Sequence, residues 1–132
     1  MSTEATAKRL LVIDDMVDIC ALVASVAERC GFEVKTTVDP IAFRDLYRAF
    51  RPDVVILDLA IPDSDGIDLL HFLVEEGCSA KVLIMSGFPA GVQEAAKRLG
   101  EVRGLNMGEM MPKPLRAAEL RAILTRLRDA AA

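Results

Sequence analysis

The sequence predicts a single α/β domain in which a parallel sheet is covered by helices on both faces. Short apolar runs alternate with amphipathic helical patterns five times along the chain, and this alternation is typical of parallel sheets. The runs are apolar at successive positions, so both faces of most strands are expected to be buried. A length of 132 residues fits one such domain.

Four of the five predicted strands are apolar runs followed by polar residues. The remaining strand, at residues 33–37, is less apolar, which favours a position at the edge of the sheet. The four apolar runs are residues 10–13 before Asp14 and Asp15, 54–57 before Asp58, 82–85 before Ser86, and the weaker run 107–111 before Lys113.

Apolar residues spaced three and four apart predict a helix after each strand. Gly31 and Gly77 are expected to end the first and third helices, and the fourth helix is expected to end near Gly100. Asp39 and Pro40 predict the N-cap and the first helical residue of the second helix. The five apolar faces run through residues 19–30, 43–50, 67–74, 92–99 and 120–127.

The composition excludes several classes of protein. The net charge is −4, the pI is about 5.0 and no Lys/Arg cluster occurs, so no nucleic-acid binding by this domain is expected. The three cysteines match no zinc or redox spacing. The chain has no signal-peptide pattern and no apolar stretch of membrane-spanning length, which predicts a soluble, cytoplasmic protein without membrane contact.

The polar residues after the strands predict a site at one edge of the sheet. In open α/β sheets, ligands bind at the carboxyl ends of the strands, where Asp14, Asp15, Asp58, Ser86 and Lys113 are expected to meet. Close carboxylates repel each other by about 4 kcal/mol per pair at an effective dielectric constant near 20, so three of them require a cation. Oxygen ligands without His or Cys select Mg²⁺, Mn²⁺ or Ca²⁺.

The same residue types suit phosphoryl transfer. A carboxylate can act as the nucleophile and form an aspartyl phosphate. The Lys113 ammonium can hold a phosphoryl oxygen as a point charge, and the Ser86 hydroxyl can donate a hydrogen bond to another. A single Asp after a strand is often only a helix cap, but polar residues at four strand ends favour Mg²⁺-assisted phosphoryl transfer to a carboxylate.

From about residue 9 to residue 127 the sequence resembles the receiver family of bacterial response regulators. The motifs that carry the resemblance are residues 11–15, 53–59, 62–66, 85–87 and 113–114. It implies a flavodoxin-like (βα)5 fold with strand order 2-1-3-4-5, two helices on one face and three on the other. The predicted division of the chain is a flexible N-terminal segment at 1–8, the receiver domain at 9–128 and a C-terminal tail at 129–132.

By position, the resemblance implies that Asp58 is the phosphorylated aspartate. Asp15 would bind Mg²⁺ directly and Asp14 mainly through water. Asp58 itself and the backbone carbonyl of Ala60 would complete the protein ligands. The implied cofactor is therefore Mg²⁺.

The resemblance also assigns roles to Ser86, which would respond to the phosphoryl group, and to Lys113, which would pair with it beside a cis bond to Pro114. The phosphoryl group would come from a sensor histidine kinase, a phosphotransfer protein or a small phosphodonor. Phosphorylation would shift the face formed by the fourth helix, fifth strand and fifth helix, so the domain would be a switch and not a turnover enzyme. An output domain, a downstream protein and a homodimer through that face are further partners that the resemblance allows.

The sequence departs from the family pattern in three places. Met110 stands where receivers commonly carry Tyr or Phe, three residues before the lysine. The chain from Ser86 to Lys113 is several residues longer than in typical receivers, and the extra residues lie within 99–108, which predicts an altered or extended fourth helix and following loop. Residues 104–108 are reminiscent of receivers attached to EAL-type cyclic-di-GMP phosphodiesterases. Ala60 and Phe88, two residues after Asp58 and Ser86, predict slow autodephosphorylation.

Two alternatives remain open from the sequence. One is a degenerate receiver that serves as a phosphorylation-independent protein-interaction module, which Met110 and the longer segment keep open. The other is a phosphatase similar to the haloacid dehalogenases, which also use a nucleophilic Asp with Mg²⁺. That family has an Asp-x-Asp motif after its first strand, whereas Asp14 and Asp15 here are followed by Met16.

Overall fold

The computed structural model describes residues 7–59 and 66–130, in which five strands alternate with five helices. The predicted flexible segment and tail lie largely outside these ranges, and the elements extend from Arg9 to Asp129. The elements in chain order are β1 (Arg9–Ile13), α1 (Val17–Arg29), β2 (Glu33–Thr37), α2 (Pro40–Phe50), β3 (Val54–Asp58), α3 (Gly66–Glu75), β4 (Lys81–Ser86), α4 (Ala90–Val102), β5 (Asn106–Pro112) and α5 (Ala117–Asp129).

All strand pairs are parallel, and the sheet has the order β2-β1-β3-β4-β5. This confirms the predicted strand order and the flavodoxin-like fold. The polar strand β2 lies at one edge of the sheet, as its composition predicts, and β5 lies at the other. The more apolar strands β1, β3 and β4 occupy the centre, where both of their faces are covered.

Two hydrophobic cores lie on opposite faces of the sheet. Because successive strand residues point to opposite sides, Leu11 and Ile13 belong to one core and Leu10 and Val12 to the other. Helices α2, α3 and α4 cover the first face, while α1 and α5 cover the second. The predicted distribution of three helices and two helices is therefore confirmed.

The predicted ends of the first and third helices and the predicted start of the second are confirmed. The Asp39 side chain accepts hydrogen bonds from the backbone N–H groups of Ile41 and Ala42, which caps α2. Gly31 and Gly77 follow α1 and α3 with φ angles of 95° and 68°, a conformation that glycine adopts without steric cost.

The fourth helix ends at Val102, two residues beyond Gly100 and so near its predicted end. Gly100 serves close packing there: a Cβ at this position would lie 2.5 Å from the Met107 sulfur. Gly104, with φ of 93°, is the residue that follows the helix end. Residues 103–105 alone connect α4 to β5, so the longer loop that the sequence predicts after this helix is not present.

Strand β5 contains a β-bulge near Gly108. Val82 of β4 pairs with Met107, but Ile84 pairs with Met110, so β5 has one extra residue between these pairs. The extra residue reverses the inward and outward alternation of the strand. As a result Met107 belongs to the core under α4, and Met111 belongs to the core under α5, although they are four residues apart.

Candidate functional site

Three carboxylates meet at the carboxyl ends of β1 and β3. Asp14 and Asp15 directly follow β1, and Asp58 is the last residue of β3. One carboxylate oxygen from each lies within 4.8 Å of the others. Asp14 and Asp58 are 0% and 1% exposed, while Asp15 is open to solvent. The central strands of a packed sheet thus hold two buried carboxylates beside an accessible one.

Lys113 reaches both buried carboxylates from the segment between β5 and α5. Its ammonium nitrogen lies 2.8 Å from Asp14 Oδ2 and 3.3 Å from Asp58 Oδ2. Its backbone N–H donates to the Ser86 carbonyl at 2.9 Å, and its peptide bond to Pro114 is cis, as expected. The lysine is thereby fixed to the end of β4 while its side chain neutralises part of the acidic cluster.

The buried position changes the acid–base behaviour of these groups. Burial raises the pKa of the Asp14 carboxyl, and the hydrogen bonds from Lys113 and from the Met16 backbone N–H offset this rise only in part. Burial by itself would lower the pKa of Lys113, but its hydrogen bond to Asp14 and the charge of Asp58 outweigh burial and raise it. The lysine is therefore held in its charged form.

The cluster suits a divalent cation. Asp14 Oδ1 accepts a hydrogen bond from the Met16 backbone N–H at 2.8 Å. Asp14 Oδ2, in contrast, is buried, and the Lys113 ammonium 2.8 Å away is its one partner within the described part of the chain. A buried carboxylate oxygen with spare acceptor capacity, beside Asp58 and the exposed Asp15, provides the oxygen ligands that Mg²⁺ prefers.

Ser86 ends β4 with a buried side chain. Its hydroxyl oxygen accepts a hydrogen bond from the Phe88 backbone N–H at 2.9 Å, which leaves the hydroxyl proton available for another acceptor. The parallel pairing of β3 with β4, in register through Asp58 and Met85, places Ser86 one residue beyond the end of that ladder. This is the edge at which the carboxylates meet.

Sequence reasoning missed Gln93, a buried residue of α4. Its side-chain nitrogen donates to the carbonyl oxygens of Ser86 at 3.3 Å and Phe88 at 2.8 Å. The sequence contains one signal for it: Gln93 lies three residues before Ala96, on the side of the predicted fourth helix that faces the core. A polar residue at such a position needs hydrogen-bond partners, and the β4–α4 loop provides them.

Other predicted features have varied outcomes. Ala60 and most of the 62–66 motif lie outside the described residues, so the predicted backbone ligand stays a prediction. Met110 is half-buried and lines a groove of about 390 Å³ between β5 and α5. Phe88 is 41% exposed and lines an apolar groove with Leu59 and residues of α3 and α4.

Among the helices in residues 7–59 and 66–130, none is long and apolar enough to cross a membrane.

Comparisons with known proteins agree with this geometry. The family model of the response regulator receiver domain matches residues 10–125. The probable transcriptional regulatory protein TcrX of Mycobacterium tuberculosis is 32% identical over 123 residues, which is 89% of this chain and 50% of that protein. The chemotaxis protein CheY of Treponema pallidum is 33% identical over 68% of this chain and 63% of its own length.

A protein-glutamate methylesterase/protein-glutamine glutaminase of Anaeromyxobacter dehalogenans is 32% identical over 68% of this chain but only 26% of its own length. The chain thus spans between about a quarter and 63% of these three relatives. Among solved structures, a response regulator from Colwellia psychrerythraea superimposes with a TM-score of 0.82 at 31% identity, covering 94% of this chain and 98% of that one. The chain therefore belongs to the response regulator receiver domain family of two-component signalling.

Proposed function

We propose that Asp58 accepts a phosphoryl group and that its phosphorylation is the signal of this domain. The observation that carries the proposal is the position of Lys113, whose ammonium lies between the buried carboxylates of Asp14 and Asp58. A buried lysine shared by two carboxylates provides a positive charge where the oxygens of a transferred phosphoryl group would gather. Asp58 ends the central strand β3, between β1 and β4, so ligands from both neighbours converge on it.

In the proposed transfer, an Asp58 oxygen forms a bond to phosphorus as the bond from phosphorus to the donor atom breaks. The donor atom leaves with the electron pair, and the product is an aspartyl phosphate. Lys113 then exchanges part of its contact with Asp58 for a contact with a phosphoryl oxygen. The Ser86 hydroxyl donates a hydrogen bond to a second phosphoryl oxygen. These two residues hold the group in place, because Lys113 is fixed through its backbone to the Ser86 carbonyl.

Receiver domains bind Mg²⁺ through an acidic cluster of this kind, and Asp14, Asp15 and Asp58 are the residues we propose for it here. The Ala60 carbonyl completes the proposed protein ligands. Bound Mg²⁺ would neutralise charge on the phosphoryl oxygens during transfer. Asp15 is the exposed member and is positioned to contact an incoming ion first, while Asp14 is already engaged by Lys113 and Met16.

The phosphodonor we propose is a sensor histidine kinase, a phosphotransfer protein or a small phosphodonor, in the cytoplasm. The proposed readout is the face formed by α4, β5 and α5, acting on an output domain, a downstream protein or a second copy of the chain. The domain is proposed to be a switch without turnover activity of its own. A likeness to receivers attached to EAL-type phosphodiesterases stays a prediction.

The proposal is tested by intact mass after incubation with phosphoramidate and Mg²⁺. The parent protein is expected to gain one phosphoryl group, and the Asp58→Asn variant none. An Asp45→Asn variant, altered in α2 away from the acidic cluster, is the matched control and is expected to gain one group like the parent. A folded parent protein that gains nothing in the presence of Mg²⁺ would support the interaction-module alternative instead.

A further inference from the structure

We infer that Gln93 is a positioning residue that couples the Ser86 hydroxyl to the beginning of α4. The inference rests on the proposed function, because Ser86 has a state to report only if Asp58 is phosphorylated. It assigns a route for the signal that does not pass through position 110, where Met110 stands in place of the usual aromatic ring.

A ring of hydrogen bonds connects Ser86, Phe88 and Gln93. The Phe88 backbone N–H donates to the Ser86 hydroxyl oxygen at 2.9 Å. The Gln93 amide nitrogen donates to the Phe88 carbonyl at 2.8 Å and to the Ser86 carbonyl at 3.3 Å. The ring therefore begins at the Ser86 side chain, passes through the loop and α4, and returns to the Ser86 backbone.

Gln93 provides a side-chain attachment between the start of α4 and the β4–α4 loop. Pro89, at the N-cap of α4, makes no side-chain capping hydrogen bond. Gln93 is 3% exposed, so its amide cannot exchange these partners for water without opening the packing around it. At Gly87 and Gly91, on either side of Phe88, no atom lies within 4 Å of the position that a Cβ would take.

The ring gives Ser86 two settings with different consequences for α4. With its hydroxyl oxygen on the Phe88 N–H, all members of the ring are paired. The inference requires that the Ser86 side chain turn about its Cα–Cβ bond to bring its free hydroxyl proton to a phosphoryl oxygen on Asp58. The Phe88 N–H then loses the Ser86 oxygen as its acceptor, and the segment from Ser86 to Phe88 readjusts. The Ser86 carbonyl is held by the Lys113 N–H at 2.9 Å, so the Phe88 carbonyl is the part of the ring that shifts.

Gln93 must respond to that shift, because an unpaired buried amide is costly. Either it follows the Phe88 carbonyl and carries the first turns of α4 with it, or it gives up the hydrogen bond and loosens the helix start. Both responses change α4, which borders β5 and contributes to the proposed output face. Neither response of Gln93 requires an aromatic ring at position 110.

The composition of the chain makes Gln93 directly observable. The sequence contains one Gln, Gln93, and one Asn, Asn106, so a ¹⁵N–¹H spectrum holds only two pairs of side-chain amide signals. Asn106, at the start of β5, is exposed and accepts a hydrogen bond from Lys81, so it serves as an internal control. An Asn106→Ser variant assigns the two pairs.

The experiment records these signals before and after phosphoramidate and Mg²⁺ are added, with intact mass measured on the same sample. We expect the Gln93 pair to shift by several linewidths and the Asn106 pair to stay in place. In Ser86→Ala, compared at equal loading of Asp58, the Gln93 pair is expected not to shift. In Gln93→Met, which keeps the volume and removes the donors, the backbone amides of residues 92–96 are expected to lose their response to phosphorylation.

The outcomes separate this inference from the proposed function. A gain in mass with an unmoved Gln93 pair overturns the coupling and leaves the phosphoacceptor role of Asp58 intact. No gain in mass overturns the proposed function, and the coupling with it. A Gln93 shift that persists in Ser86→Ala at equal loading also overturns the coupling, because the signal would then bypass Ser86. If Gln93→Met does not fold, the measurements on the parent and on Ser86→Ala still decide.

Discussion

The ammonium nitrogen of Lys113 lies 2.8 Å from Oδ2 of Asp14, a carboxylate oxygen that is buried at the end of β1. The same ammonium lies 3.3 Å from Asp58 Oδ2, so one lysine compensates two carboxylates that would otherwise repel each other. The ion pair therefore stabilises the site before any cation or phosphoryl group arrives. Removal of the Lys113 ammonium is therefore expected to lower the free energy of unfolding.

Lys113→Met is expected to lower the free energy of unfolding by about 3 kcal/mol at pH 7 without Mg²⁺, since breaking a buried ion pair leaves an uncompensated charge. Added Mg²⁺ is expected to restore part of the loss, because the cation replaces the missing positive charge. Urea unfolding with and without Mg²⁺ measures both effects. Lys35→Met, on the exposed edge of β2, is the control and is expected to change the free energy by less than about 0.5 kcal/mol. Equal losses in the two variants would contradict the role given to Lys113.

Binding of Mg²⁺ is expected to weaken as the pH falls. Burial raises the pKa of Asp14, so this carboxyl takes up a proton at a higher pH than an exposed aspartate does. The protonated form is a poor ligand, and the thermal stabilisation by Mg²⁺ should be larger at pH 7.5 than at pH 5. At a Mg²⁺ concentration ten times the Kd the stabilisation is about 1.4 kcal/mol. Thermal unfolding at both pH values measures it, with Asp15→Asn expected to need more Mg²⁺ for the same shift.

The same raised pKa has the opposite consequence for the Mg²⁺-free protein. The folded state holds the Asp14 proton more tightly than the unfolded chain, so the contribution of this group to stability is present at low pH. It is lost as the pH rises from the unfolded pKa through the raised folded pKa. A contribution of Asp14 that grew with pH, isolated by comparison with Asp14→Asn, would contradict the raised pKa.

The residues of the candidate site were predictable because they follow apolar strands. Asp14, Asp58 and Ser86 each come directly after or at the end of a run whose burial is fixed by its composition, and parallel strands bring such ends together. Lys113 follows the weakest of the four apolar runs, since β5 is only partly buried. The strand-end pattern places it at the site, and the resemblance to the receiver family implies the same position.

What the sequence did not predict depends on contacts between elements. Gly100 has the local character of a helix end, but in the fold it lets α4 approach Met107. Because of the bulge in β5, Met107 and Met111 are buried on opposite faces of the sheet, which the even spacing between them does not reveal. The role of Gln93 depends on the loop carbonyls that the β4–α4 connection presents to it.

Gly66→Ala is expected to damage the site, whereas Gly91→Ala is expected to be harmless. A Cβ at Gly66 would lie 2.5 Å from the Leu59 Cα and 2.9 Å from the Asp58 carbonyl oxygen, which are backbone atoms that cannot turn aside. Overpacking of this kind costs about 1–3 kcal/mol and would displace the end of β3. At Gly91, inside α4, the Cβ meets nothing, and the helix gains up to about 1 kcal/mol.

Urea unfolding and phosphoramidate labelling of the two glycine variants measure the difference. Gly66→Ala is expected to be less stable than the parent and to label more slowly, because the Asp58 backbone shifts. Gly91→Ala is expected to match or exceed the parent in stability. If Gly66→Ala labelled at the parent rate with unchanged stability, the close approach of α3 to the end of β3 would not matter for the site.

The phosphoaspartate is expected to last for minutes or longer. Ala60, two residues after Asp58, has no polar side chain to hold a hydrolytic water, and Phe88 lines the same apolar groove as Leu59, the residue that follows β3. Loss of the phosphoryl mass after removal of phosphoramidate gives the half-life. Ala60→Asn is expected to shorten the half-life. Met110→Ala, which changes a β5 residue in the groove between β5 and α5, is expected to leave the half-life unchanged. A half-life of seconds in the parent protein would refute the prediction, since it would mean that water reaches the phosphoryl group without help from either position.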